Sequence, residues 1–375
     1  MRAPARIEAM APLADRILMG PGPSNPYPEA TAALVHPVLG HLDPSFLDIL
    51  DETMERLRRV FKTSNALTLP ISGTGSAGME TAFVNVVKPG DPVVIGVNGF
   101  FGERMCEIAD RLGADVIRVE APWGEPLDPE RLVRAHPSPA VIALVHAETS
   151  TGVRNDVAAV GATKGDAILI ADTVTSLGGI PVAIDDWGVD ISYSATQKCL
   201  GAPPGLAPLT ASPRARERFV PRPSSWYLDL TLLSKYVEGD GVRRVYHHTA
   251  PAAMISAIHA GLGAVLDEGL DAVWERHREC GQLLQAGLEK LGFELFVAAE
   301  HRLPELTTVV VPEDLPAGMD EGAVRARLLD HYDIEIGGGV GQLAGRIWRI
   351  GCMGHAARPA NVHALLGALG EMLGR

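Results

Sequence analysis

The sequence is poor in cysteine, in blocks of positive charge and in long apolar runs. Its four cysteines, at positions 106, 199, 280 and 352, lie far apart and form no C-x-x-C pair, so neither a disulfide framework nor a zinc site is expected. The net charge of −13, without a Lys/Arg block, argues against nucleic acid or an anionic membrane as the partner. No run approaches the roughly 20 apolar residues that a membrane span needs. The first 20 residues also lack a secretory signal, so we expect a cytoplasmic protein.

Short apolar runs alternate with helical stretches over most of the chain. These runs cover residues 92–97, 114–119, 140–146, 167–173, 191–196 and 207–212. Their continuous apolar character predicts strands buried on both faces, and the alternation predicts an α/β fold with a mostly parallel sheet. After residue 268 a long helical pattern leads into short strands. We therefore predict an N-terminal arm over 1–25, a large domain over 26–268 and a smaller α+β domain over 269–375.

Residues 71–81, ISGTGSAGMET, contain a literal G-x-G-x-x-G. A dinucleotide-binding fold also needs an acidic residue at the end of the second strand, but the run 92–97 ends at Asn98-Gly99. A tight turn without a ligand remains possible. Alternatively, free amides at the start of a helix bind a single phosphate. The donors would then be Gly75, Ser76 and Ala77.

Two charged residues follow predicted strands. Asp172 ends the apolar run in ILIADT, and Lys198 follows ISYSAT. Each alone is most often a turn or surface residue. Together with a phosphate loop they fit pyridoxal phosphate, which needs a lysine for its Schiff base and an acid at its ring nitrogen. The acid keeps the ring protonated, so that the ring can accept carbanion electrons.

Seven motifs occur in the order and spacing of a known family. They are GPGPSNP, SGTGSAGMETA, HAETSTGV, ADTVTSLGG, SATQKCLGAPPG, YHHTAP and IWRIGCMG. In these motifs the chain resembles the class V branch of fold-type I pyridoxal-phosphate aminotransferases, most closely the alanine/serine–glyoxylate and ureidoglycine–glyoxylate enzymes. The resemblance implies pyridoxal 5'-phosphate as the cofactor, a ping-pong reaction and a homodimer with shared active sites.

The resemblance also implies roles for residues around the cofactor ring. Lys198 would form the Schiff base and move the Cα proton, while Asp172 would pair with the pyridine nitrogen. Val174 would pack under the ring. Phe101 would stack on the opposite face, where the glyoxylate enzymes often have Trp. Thr149 would place its hydroxyl at the phenolic oxygen of the cofactor.

Further residues match positions that contact the phosphate or the substrate. Gln197 would reach the phosphate, and Tyr246 and Thr249 would contact the phosphate of the neighbouring subunit. A polar loop without that role is the simpler interpretation of YHHT by itself. Arg349 would hold the substrate carboxylate, because a guanidinium group binds a carboxylate through two parallel hydrogen bonds. An arginine between two apolar residues could also serve a structural ion pair.

The choice of amino donor depends on single-residue differences between the branches of this family. We place Asn25 and His41 on the substrate side. In the ureidoglycine enzymes a Gln tends to replace His41 and an Asn tends to replace Tyr246, so the resemblance favours alanine or serine as the amino donor. Glyoxylate, or pyruvate, would be the acceptor. Ureidoglycine remains an alternative donor, because TQKCL and IWRIG are very similar to that branch.

Three other classes of protein remain to be compared. A cysteine desulfurase shares the fold, and Cys352 lies three residues after Arg349, but desulfurases typically have His where this chain has Gln197. A nicotinamide dehydrogenase would have no use for Lys198, and a non-catalytic scaffold would have no need of Lys198, Asp172 and Arg349 together. The twelve histidines show no spacing typical of a metal site, and we predict none.

Overall fold

The computed structural model describes residues 14–239, 244–316 and 318–374. The first half of the predicted arm, 1–13, lies outside the described residues. The strands are β1 Ile17–Leu18, β2 Leu67–Ser72, β3 Pro92–Val97, β4 Asp115–Glu120, β5 Val141–Val145, β6 Ala147–Glu148, β7 Val153–Arg154, β8 Ile168–Asp172, β9 Ile191–Tyr193, β10 Leu206–Ala211, β11 Leu306–Val310, β12 Ile334–Glu335, β13 Gly337–Gly338 and β14 Ile347–Gly351. The helices are α1 Pro28–Ala33, α2 Pro44–Phe61, α3 Gly75–Val84, α4 Phe100–Arg111, α5 Pro129–Arg134, α6 Val157–Thr163, α7 Pro213–Glu217, α8 Leu230–Val237, α9 Ala252–Glu268, α10 Leu270–Lys290, α11 Glu321–Tyr332 and α12 Pro359–Leu373.

Seven strands form the central sheet, in the order β2-β10-β9-β8-β5-β3-β4. Every neighbouring pair is parallel except the two that involve β10, which runs antiparallel to β2 and to β9. The inner strands β5 and β8 are buried along their whole length, as their apolar sequences predict. The predicted α/β fold with a mostly parallel sheet is therefore confirmed, and the carboxyl ends of β3, β5, β8 and β9 share one edge.

Local sequence signals explain how α2 begins. The Asp43 carboxylate accepts a hydrogen bond from the Ser45 amide at 2.8 Å, and Pro44 occupies the first helical position. Phe46 and Leu50 lie on the buried face. This face packs against α9, which fixes both helices on one side of the sheet.

A second apolar core lies in the C-terminal part of the chain. The sheet β11-β14-β13 packs with α10 and α12 around Trp348, Ile350 and Leu365. The N-terminal segment joins this core, because Met19 is buried in it and β1 pairs with β12. Helices α9 and α10 meet at Gly269, whose φ is +90°. The domain boundary at 268/269 stays a prediction.

Two details differ from the pattern of the sequence. The apolar run FELFV at 293–297 has the pattern of one of the short strands expected after residue 268, but it is not an extended strand, and its Leu295 makes only an isolated bridge to Val309. Conversely, β6 and β7 form a short hairpin within HAETSTGVR, where alternating polar residues conceal the strand signal. Separately, none of the helices in the described part of the chain combines the length and apolarity that a membrane span requires.

Candidate active site

Asp172 is a buried acid at the end of β8. Its side chain accepts a hydrogen bond from the Val174 amide at 2.8 Å. Burial raises the pKa of Asp172 to about 7, against that hydrogen bond and the nearby positive charge of Lys198. No lysine, arginine or histidine among the described residues forms an ion pair with it. This carboxylate is thus placed to receive a cationic group from a ligand.

Lys198 follows β9 and is only 8% exposed. Its Nζ donates a hydrogen bond to the carbonyl of Pro21. Burial and, after it, the positive charge of Arg349 together lower the pKa of Lys198 to about 8. Gly22, with φ +108°, lies against the side chain, and a Cβ there would overlap Nζ. The site therefore holds an amine that loses its proton more readily than an exposed lysine.

The glycine motif forms the start of α3. Gly73 turns the chain with φ +130°, and the helix begins at Gly75. A Cβ on Gly75 would lie 3.1 Å from Val174 and from Ala195, so the loop packs directly on the segments after β8 and β9. Ser76 is exposed, and its hydroxyl accepts a hydrogen bond from Arg104 at 3.0 Å. The Ala77 amide donates to the carbonyl of Thr74 at 2.8 Å, so of the three predicted donors the amides of Gly75 and Ser76 are the ones that can receive an anion.

Phe101 is placed by a residue that the sequence analysis missed, Glu148. This fully buried carboxylate accepts hydrogen bonds from the amides of Phe101 at 3.2 Å and Gly102 at 3.4 Å. It also accepts from Ser150, whose hydroxyl lies at 2.6 Å. Gly99 leaves the space that this carboxyl group fills. Burial raises the pKa of Glu148 despite these bonds. The only signal in the sequence was an acid inside the HAETSTGV motif.

Arg104 is a second residue that was missed. Its guanidinium group lies 5.0 Å from the centre of the Phe101 ring, in cation–π geometry, and donates to Ser76. It forms no ion pair with the carboxylates of the described residues. Its position one helical turn after Phe101 was the available signal. Arg104 thus joins the predicted ring-stacking residue to the predicted phosphate loop.

Thr149 and Gln197 lie on the same edge of the sheet. Thr149 is buried, and its hydroxyl forms a hydrogen bond with that of Thr175. Gln197 accepts a backbone hydrogen bond from Ser24 at 2.9 Å. Its side-chain Oε1 is buried without a hydrogen-bond partner among the described residues. A buried amide oxygen of this kind is costly unless a ligand or water satisfies it.

Arg349 reaches this edge from β14 of the second core. Its Nε donates to the carbonyl of Gly338 at 2.7 Å and its Nη1 to that of Thr149 at 3.4 Å. No carboxylate of the described chain lies within ion-pair distance of it. Burial lowers the pKa of Arg349 to about 10, so it stays charged at neutral pH. A buried cation without an ionic partner is suited to bind an anionic substrate.

The remaining predicted residues lie in two other places. The Asn25 side chain donates to the carbonyl of Arg16 and accepts from the amide of Leu18, both at 2.8 Å, and so fixes the N-terminal segment. The rings of His41 and Tyr246 pack against each other, with centres 5.0 Å apart. Tyr246 and Thr249 are exposed on the surface of this chain. Contacts of these four residues with cofactor or substrate stay predictions.

These groups fit pyridoxal phosphate. Asp172 offers a buried carboxylate for a ring cation, and α3 offers backbone amides for a phosphate. Lys198 supplies the amine. The described residues hold no cluster of three or more His, Cys, Asp or Glu side chains suited to a metal ion. The site is therefore equipped to bind an organic cofactor and a carboxylate.

Comparison with known proteins agrees with this geometry. The aminotransferase class-V family profile matches residues 24–343. The crystal structure of alanine–glyoxylate aminotransferase from Nostoc sp. superposes with a TM-score of 0.93 at 45% identity, covering 100% of this chain and 99% of that one. Ureidoglycine–glyoxylate aminotransferase from Bacillus subtilis superposes with a TM-score of 0.92 at 40% identity, covering 98% and 94%.

A curated mammalian relative gives the same result. Alanine–glyoxylate aminotransferase of Mus musculus is 39% identical over 96% of this chain and 87% of its own length. Family profile, sequence and fold thus agree over nearly the whole chain. The cofactor of this family is pyridoxal 5'-phosphate, which the site residues fit. The chain belongs to the class V, fold-type I aminotransferases.

Proposed function

We propose that this enzyme transfers the amino group of alanine or serine to glyoxylate. With alanine, the products would be pyruvate and glycine. The observation that carries the proposal is the position of Arg349. Its charge is close enough to lower the pKa of Lys198, and it has no carboxylate partner among the described residues. A single guanidinium group beside the reacting amine suits a small substrate with one carboxylate.

The residues divide the work of the reaction between them. Arg349 binds the carboxylate and so orients the Cα–H bond of the donor. When bound, the cofactor supplies a protonated ring that accepts the electrons of that bond. Asp172 would hold the ring proton, and Lys198 Nζ would take the Cα proton of the donor and deliver it to the cofactor carbon, with the reverse transfer when glyoxylate reacts. The keto product leaves before glyoxylate enters, which is a ping-pong order.

The amino donor is the finer part of the proposal. The His41 and Tyr246 rings, which replace the Gln and Asn expected for ureidoglycine, pack together as one aromatic surface. Such a surface has fewer hydrogen-bonding groups for the ureido group than an amide pair has. This supports alanine or serine, although the Bacillus subtilis relative is named for ureidoglycine. Pyruvate is the alternative acceptor when serine is the donor.

A desulfurase function receives no support from Cys352. Its side chain is completely buried in the second core, and burial raises its thiol pKa. A sulfur-accepting cysteine needs an accessible thiolate. Release of sulfide from L-cysteine, at a rate comparable to alanine turnover, would restore that alternative.

The shared homodimer and the cytoplasmic location also belong to the proposal. A group of exposed apolar side chains supports a subunit interface that would cover them. They are Val35, Val38, Leu42, Trp226, Tyr227, Val245 and Tyr246. The four cysteines are unpaired and buried, in keeping with a reducing compartment.

The first experiment is the visible absorption spectrum of the purified protein and of Lys198→Ala. We expect a yellow band in the wild type that fades with L-alanine and returns with glyoxylate, and no such band in the variant. A panel of alanine, serine and ureidoglycine with glyoxylate then ranks the donors. Fastest turnover of ureidoglycine would overturn the proposed donor. A protein that stays colourless with pyridoxal phosphate would overturn the function.

A further inference from the structure

A row of hydrogen bonds joins the segment 246–249 to the glycine loop. His247 Nε2 lies 3.2 Å from the carbonyl oxygen of Trp226, and its Nδ1 lies 2.8 Å from Nδ1 of His248. His248 Nε2 lies 2.8 Å from the hydroxyl of Ser72, the last residue of β2. The row thus ends directly before Gly73, where the chain turns into α3.

The Trp226 carbonyl, at the start of this row, fixes which group donates in each of its hydrogen bonds. The Trp226 carbonyl can only accept, so His247 carries its proton on Nε2. In a neutral His247, Nδ1 is then an acceptor, and His248 must donate from its own Nδ1. His248 Nε2 is left as an acceptor for the Ser72 hydroxyl. The two imidazoles therefore require opposite tautomers, whichever pH keeps them neutral.

The same geometry limits the number of protons that the pair can bind. One extra proton fits on His248 Nε2, with the Ser72 oxygen accepting. A second would set two N–H groups against each other across 2.8 Å. Burial, followed by the charges of His247 and His41, lowers the pKa of His248. Trp226 stacks on His247 at 4.3 Å and Tyr227 lies 4.8 Å from His248. Neither imidazole pairs with a carboxylate of the described chain.

We propose that His247 and His248 are positioning residues for the cofactor phosphate. Through Ser72 they hold the start of the loop whose Gly75 and Ser76 amides would bind the phosphate. Through their backbone they hold Tyr246 and Thr249, which would reach the phosphate of the partner subunit. The row thereby couples the two phosphate sites of the dimer. This inference rests on the proposed function.

The test measures binding of the phosphate separately from activity. Apoprotein is titrated with pyridoxal phosphate and with pyridoxal, which lacks the phosphate, for wild type, Ser72→Ala and Ser72→Thr. Loss of one hydrogen bond should weaken pyridoxal phosphate binding about three- to tenfold in Ser72→Ala. Pyridoxal binding should stay unchanged, and Ser72→Thr, which keeps the hydroxyl, should restore the affinity.

A second variant and a spectroscopic measurement complete the test. His248→Asn keeps a donor toward His247 but is too short to reach Ser72, so it should show the same phosphate-specific loss. In ¹⁵N NMR of the wild-type apoprotein, His247 should carry its proton on Nε2 and His248 on Nδ1. The inference is overturned if the variants lose affinity equally for pyridoxal and pyridoxal phosphate, if they lose none, or if the two histidines have identical tautomers. None of these results would affect the proposed function. A wild-type protein that binds neither compound would overturn the proposed function as well.

Discussion

At the scale of single residues, the positive charge of Arg349 disfavours the protonated form of the Lys198 amine. Burial is the main cause of the low lysine pKa, and the positive charge of the guanidinium group lowers it as well. In the proposed function the same charge attracts the substrate carboxylate. One arginine would thus serve both the reactivity of the lysine and the binding of the substrate.

Arg349→Gln should therefore change the pH dependence of cofactor capture. Without the neighbouring cation the pKa of Lys198 rises above about 8, so the neutral amine appears only at higher pH. The rate at which apoprotein captures pyridoxal phosphate, followed by absorbance, should reach half its maximum at higher pH than in wild type. Arg349→Lys retains a charge and should leave this midpoint in place. An unshifted midpoint in Arg349→Gln would contradict the coupling.

Arg349→Lys should instead impair substrate binding. A lysine keeps the charge but cannot make the paired hydrogen bonds of a guanidinium group. Losing a charged hydrogen bond costs about 1.5–3 kcal/mol, which corresponds to a roughly 10- to 100-fold lower kcat/KM for alanine. Steady-state kinetics check this prediction. An unaltered kcat/KM would show that the carboxylate binds elsewhere.

Asp172 should make the apoprotein less stable as the pH rises. Its folded pKa of about 7 exceeds the unfolded value, so the folded state binds the extra proton between about pH 4 and 7. Unfolding free energy therefore falls as the pH rises through this window, by roughly 2–3 kcal/mol between pH 5 and 8. In Asp172→Asn that part of the fall should vanish. Urea unfolding of both apoproteins at one protein concentration, at pH 5 and pH 8, measures the difference. Identical falls would contradict the assignment.

At the scale of elements, the N-terminus of α4 is held by the turn after β6. The hydroxyl of Ser150 accepts from the amide of Phe100, and Glu148 accepts from those of Phe101 and Gly102. These are amides that a helix cannot satisfy internally. The turn thus fixes the ring that we expect to stack on the cofactor.

Glu148→Gln should loosen this helix start. One oxygen of Glu148 accepts from two amides and the other from Ser150, so an NH2 group at either place faces donors. We expect a loss of about 1–3 kcal/mol in unfolding free energy and weaker retention of the cofactor. Glu103→Gln on the same helix is the control, because its exposed ion pair with Arg118 contributes little. Equal thermal stabilities of the two variants would contradict the role of Glu148.

The sequence predicted the elements with strong local signals and missed those formed by long-range contacts. The strand ends at Asp172 and the helix start after Asp43 follow from apolar runs and capping residues. Glu148 is different: its role depends on amides almost 50 positions away, which no local pattern reveals. Arg349 likewise meets Thr149 across 200 positions. The family motifs located Arg349, but burial and the missing ionic partner became visible only in the fold.

At the scale of the whole molecule, the site lies where the two cores meet. Arg349 on β14 contacts Thr149, and the Thr308 hydroxyl on β11 donates to the carbonyl of Thr151 at 2.8 Å. The cation that we propose for substrate binding therefore comes from the second core, while Asp172 and Lys198 come from the carboxyl ends of central-sheet strands. A change in how the cores pack would move the carboxylate relative to the amine.

In the proposed dimer each active site needs residues from both subunits, because Tyr246 and Thr249 of one subunit would complete the site of the other. A Lys198→Ala subunit still offers both residues, and a Tyr246→Ala/Thr249→Ala subunit still offers Lys198. A hybrid dimer then contains one intact site. Random mixing makes about half of the dimers hybrid, so two nearly inactive proteins should together regain about one quarter of wild-type activity. The measurement is alanine–glyoxylate turnover after the two variants are unfolded and refolded together. Each variant refolded alone is the control. If the mixture is no more active than the two controls, Tyr246 and Thr249 do not act across the interface.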